Sequence, residues 1–132
     1  MKGLPLRIAS IAACLLMPAA AQAQHLTMTA ISGKPLKLNF SNTTNPDCST
    51  VGATAVRLTQ APAHGRVIIS RARDFPAFPR QNLRSTCNRQ RVAGTRTVYV
   101  SERGFVGFDS AAIEIIFASG SATRRSYTIN VR

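Results

Sequence analysis

Residues 97–117 read Thr-Val-Tyr-Val-Ser-Glu-Arg-Gly-Phe-Val-Gly-Phe-Asp-Ser-Ala-Ala-Ile-Glu-Ile-Ile-Phe. This is the signature of a strand, a tight turn and a second strand. Gly104 and Gly107 permit backbone angles and close approaches that a side chain forbids. Phe105, held between them, can turn inward and plug the end of a packed pair of sheets. Asp109 is placed to accept hydrogen bonds from nearby backbone amides and so close the turn before the next strand. After it Ala111, Ile113, Ile115 and Phe117 fall on one face of an extended chain, with Ala112, Glu114 and Ile116 on the other.

The spacing of Tyr99, Gly104, Phe105, Gly107 and Asp109 resembles the bacterial Ig-like (cadherin-like, tandem) β-sandwich family. That family's signature is Tyr-x-Pro-x-x-Gly-Phe-x-Gly-x-Asp-Ser-Phe-x-Tyr. Ser101 stands at the proline position, and Ala111 and Ile113 stand where aromatics are usual. Pro62-Ala63-His64-Gly65-Arg66-Val67 is a second element similar to the family. The resemblance implies an all-β, Ig-like antiparallel β-sandwich of about seven strands. Calcium-binding members use clusters of acidic residues, which this chain lacks, so no metal or other cofactor is expected. Such a fold carries many functions, and a site must be argued separately.

Outward from this stretch, the chain alternates in short extended runs. Leu26, Met28 and Ala30 form one, and Leu36, Leu38 and Phe40 a second, with Lys37 and Asn39 expected to face outward. Thr54, Val56 and Leu58 form a third, ended by Pro62, which cannot donate to a strand ladder. His64-Gly65 makes a turn, and Val67 and Ile69 open the next strand. His64 reads as a hydrogen-bonded turn residue rather than a general base, because no partner is in evidence. Ser119-Gly120-Ser121 is a hairpin turn, and Tyr127, Ile129 and Val131 alternate in the return strand.

The first residues read as a bacterial export signal: Lys2 and Arg7, the apolar run Ile8–Met17, and the small-residue cleavage site Ala21-Gln22-Ala23. The run is too short to span a bilayer. The domain assignment is therefore 1–23 signal peptide and 24–132 sandwich, 132 − 23 = 109 residues, with no transmembrane segment expected in the mature chain. A periplasmic or secreted location follows. Ile11-Ala12-Ala13-Cys14 supplies an alternative, lipoprotein processing, against which Leu15, Leu16 and Met17 continue the apolar run. Cys48 and Cys87 remain, and two cysteines in an exported chain read as one disulfide. With His25 and His64 they lack the spacing of a zinc site.

Of 17 basic residues, Lys2 and Arg7 leave with the signal, so 15 face five acids, 15 − 5 = +10, and 13 of the 15 are arginines. That balance favours anionic partners. Residues 72–94 have no clean period, contain Pro76 and Pro79, and carry Arg73, Arg80, Arg84, Arg89 and Arg91 against the single acid Asp74. Arginines interspersed with Phe75 and Phe78 can hold anions and stack on rings. The competing expectation is that Phe75, Phe78 and Leu83 fold back over the sandwich while the arginines are solvated. Five scattered acids do not make a hydrolase, and Glu102 is expected to pair with an arginine or face water. The function expected is a non-enzymatic envelope module binding an anionic component or a protein partner through this segment. The alternative is a small secreted inhibitor of an envelope enzyme. Nucleic acid is not expected as a partner, since export opposes it and none of the standard recognition motifs is present.

Overall fold

The computed structural model describes residues 23–132, and all but the last residue of the expected export signal, including Cys14, lies outside the described residues. Seven strands form: β1 Ala23–Ala30, β2 Pro35–Ser41, β3 Ala55–Gln60, β4 Gly65–Asp74, β5 Val92–Ser101, β6 Gly107–Ile116 and β7 Ala122–Val131. A single 3-10 turn, Ser85–Arg89, interrupts the link between β4 and β5.

One sheet has the order β1-β7-β6-β3 and the other β2-β5-β4. An immunoglobulin constant-type sandwich sets its third, sixth and seventh strands on one sheet and its first, second, fourth and fifth on the other. Here the first strand has changed sheets. It pairs with β7 in parallel, while every other pairing is antiparallel. The all-β sandwich of seven strands with one disulfide is as expected, and the Cys48–Cys87 bond is present.

Inward-pointing residues at every second position close the two layers over one another. Tyr99, Ile113, Ile115, Tyr127, Ile129 and Val131 are fully buried, with Leu36, Val56, Val67, Phe105 and Phe117 packed around them. Burying one such side chain stabilises the fold by roughly 1.5–3 kcal/mol.

The central stretch folds as expected. Asp109 lies within β6 with its side chain buried, and it accepts from backbone amides, those of the Pro62–Gly65 turn among them. Its carboxylate accepts from Tyr99 Oη at 2.8 Å, Ala63 N at 2.9 Å, His64 N at 3.0 Å and its neighbour Ser110 N at 2.9 Å. The Pro62–Gly65 turn is thereby latched to the end of the core. Burial pushes this carboxyl up, but the hydrogen bonds from Tyr99 and the three amides outweigh it and hold it below the ordinary range. Phe105 turns part-way in and stacks on His64, ring centroids 4.2 Å apart. The His64 ring thus packs in a stack, and it is the backbone of His64 that makes the turn's hydrogen bonds.

β2 departs from the expected pattern. A bulge between Lys37 and Asn39 shifts the register, so Leu38 and Asn39 are both buried. Asn39 and Ser41 then stand opposite Thr97 and Thr95 on the buried face, and Phe40 lies opposite Arg96 on the other. An extra residue in one strand inverts the faces beyond it.

Candidate functional site: a basic loop and the groove beside it

The irregular segment is shorter than expected. β4 continues to Asp74 and β5 begins at Val92, so residues 72–74 and 92–94 belong to strands. Asp74 faces Lys37 Nζ at 3.1 Å and Arg96 Nη2 at 3.3 Å, an ion cluster laid across all three strands of its sheet. Charged residues carry this end of β4, which is why apolar periodicity does not reveal it.

Residues 75–91 are tied down at several points. Asn88 clasps the backbone of Phe78, accepting from its N–H and donating to its carbonyl, both at 2.9 Å. Asn82 N donates to Pro79 O, and Ser85 N to Asn82 O. Cys87 is fully buried in its disulfide to Cys48, which anchors the segment to the β2–β3 connection. Arg84 Nε donates to the carbonyl of Thr44 across the same junction.

The five arginines therefore divide. Arg84 is a structural tie. Arg73 Nη2 donates to Arg91 O at 2.9 Å, and the Arg91 guanidinium lies over the Phe75 ring, 5.5 Å from its centroid. Arg80 and Arg89 are exposed. Phe78 is half-buried, but Phe75 is 47% and Leu83 80% exposed, so these two do not fold back as the competing expectation required.

None of the five acids forms an ion pair with these arginines among the described residues. Glu114 is held by Arg57 and by Arg124 Nε at 3.4 Å, across three strands of the other sheet. Asp47 takes Ser49 Oγ at 2.6 Å and Ser49 N at 3.0 Å. Asp74 and Asp109 are engaged as described, and Glu102 faces water. A recess of about 500 Å³ between residues 50–54 and the β4–β5 pair is edged by Arg71 and Arg73 with no acid in its lining.

A second groove, about 390 Å³, runs along β2. Phe75 and Phe78 of the loop line one part of it, and Leu38, Asn39, Ile115, Phe117 and Arg125 line others. Arg125 pairs with Ile113 across the β6–β7 ladder, so it points between the sheets in the row of Val131, Ile129 and Tyr127. Its Nη1 donates to Asn39 Oδ1, whose amide in turn donates to Ser41 Oγ. Thr97 Oγ1 is buried with no partner among the described residues, and Arg125 Nε and Tyr127 Oη are buried with none beyond the contact between these two side chains. Burial pushes the Tyr127 hydroxyl up, and the neighbouring Arg125 charge opposes that shift.

Arg125 and Asn39 lie outside the sequence-based site. The signal for Arg125 was present, because stepping back by two from Tyr127 reaches it. Asn39 was hidden by the bulge. The described residues hold no group of three or more His, Cys, Asp or Glu suited to a metal ion, and no helix among them is long and apolar enough to cross a membrane. No protein-family model matches the chain, and no curated protein matches it.

Proposed function

We propose that this chain is an exported, non-enzymatic member of the bacterial Ig-like group that binds an anionic component of the cell envelope through the basic β4–β5 segment. One observation carries the reading: the segment is fixed by a disulfide and side-chain clasps, yet its arginines are neutralised by no acid of the described chain. Fixing cations in place before binding lowers the ordering cost of association. The Tyr99–Asp109 signature and the strand order support the Ig-like assignment, and residues 1–23 with the disulfide support export.

The test is binding to lipopolysaccharide by a variant carrying Arg80→Gln, Arg89→Gln and Arg91→Gln, which leaves the structural tie of Arg84 in place. At about 1 kcal/mol per cation near an anionic surface, the triple change is expected to weaken binding on the order of 100-fold at low salt. Unchanged affinity in a folded variant would refute the assignment. Leu83, at 80% exposure on the same segment, favours a second reading in which the partner is an envelope protein and the chain its inhibitor. Stoichiometric co-purification of an envelope enzyme, lost on Leu83→Ser, distinguishes it.

A further inference from the structure

We infer that the groove along β2 is a binding site for a carboxylate carried on a small apolar body, with Arg125 as the residue that holds the anion. This site is separate from the outward arginines of the basic loop and does not rest on their binding a surface.

Arg125 occupies a position where the alternation of β7 otherwise places Tyr127, Ile129 and Val131. Arg125 is half-buried, with its Nε inside the layers and its side chain lining the groove, and withdrawing part of a guanidinium from water costs free energy unless a counter-charge and full hydrogen bonding repay it. Here the counter-charge is missing, since Arg125 forms no ion pair among the described residues. Its one acceptor, Asn39 Oδ1, is a neutral amide. The Nε–H has no carboxylate or carbonyl acceptor among the described residues, and the polar group beside the Arg125 side chain is the neutral Tyr127 hydroxyl. Within an otherwise consistent sandwich, such a departure marks a place kept for function.

The shape of the place indicates the ligand. A guanidinium presents parallel N–H groups that match the two oxygens of a carboxylate. The groove, about 390 Å³, lies in the size range of small-molecule sites. Its walls are mainly apolar, with Phe75, Phe78, Ile115 and Phe117 facing the ligand's body. Lys37 also lines it but is engaged with Asp74, which leaves Arg125 as the cation without a carboxylate.

The experiment titrates the folded, oxidised protein with 4-phenylbutyrate, its neutral analogue 4-phenylbutanol, and inorganic phosphate, following the Arg125 Nε–H and the amides of residues 39–42 by NMR. Saturable shifts with phenylbutyrate are expected, with phenylbutanol and phosphate each at least about 10-fold weaker. Arg125→Met is expected to abolish phenylbutyrate binding in a variant that still folds and melts cooperatively, its apolar side chain of similar length offering the ligand no N–H groups. The Arg80, Arg89 and Arg91 triple variant is expected to bind phenylbutyrate normally, which separates this site from surface binding. Equal binding of the alcohol, equal binding of phosphate, or no titration by any probe up to about 10 mM would each overturn the inference.

Discussion

Asp109 is 5% exposed, and both of its carboxylate oxygens are engaged, by donors from β5, β6 and the Pro62–Gly65 turn. Replacing it with alanine strands Tyr99 Oη and two turn amides at once. Leaving buried donors unsatisfied costs about 1–3 kcal/mol each, so Asp109→Ala is expected to lose at least about 3 kcal/mol in urea unfolding. The group also sets part of the acid limb. Its folded pKa lies below the ordinary 3.8, so its stabilisation is complete above that value and is lost as pH falls through the folded pKa. Asp109→Asn, which has no such titration, is expected to show a shallower fall in stability below about pH 4 than the parent. Much of this residue was legible: the Gly104-Phe105-x-Gly107-x-Asp109 spacing marks it. Its acceptance from Ala63 and His64 was not, because those amides lie 46 and 45 positions earlier and no local pattern records a long-range register.

Strands were legible wherever one face is oily, as in β6 and the end of β7. They were hidden where charge replaces oil, as at Arg73 and Asp74, or where a bulge breaks the count, as at Lys37–Asn39. Arg125 was missed for a related reason: a charged residue at an inward position reads as the strand's end. The bulged β2 also explains a close approach on the other face of its sheet. A Cβ added at Gly94 would sit 2.4 Å from Ser41 O and 2.6 Å from the Phe40 ring. Gly94→Ala is therefore expected to force β2 and β5 apart at a cost of about 1–3 kcal/mol. At Gly104 the φ is +82° but nothing lies within 4 Å, so Gly104→Ala carries only the left-handed backbone penalty of about 1–2 kcal/mol. Thermal melts are expected to show both losses, and hydrogen exchange distinguishes them. The parent's β2–β5 amide hydrogen-exchange protection is expected to fall in Gly94→Ala and to persist in Gly104→Ala.

At the scale of the molecule, one covalent link and one charge distribution set the behaviour. Cys48 and Cys87 are 39 positions apart, and closing that loop stabilises the fold by about 4 kcal/mol in the chain-entropy model. Cys48→Ser with Cys87→Ser is expected to lower the urea midpoint accordingly and to open residues 75–91, so that trypsin cuts after Arg80 and Arg89 far faster than in the oxidised parent. Equal cutting rates would show that the loop is held without the bond. The basic excess was readable from composition. Its arrangement was not, because which arginines are ties and which remain unneutralised depends on contacts between distant segments, such as Arg84 with Thr44. The central claim is that fixed, unneutralised arginines bind anions, and the most direct measurement is lipopolysaccharide affinity at about 0.05 M and about 0.5 M salt, which spans strong to weak screening. The expected result is binding that weakens by an order of magnitude or more between the two; equal affinity at both, or none at either, would contradict it.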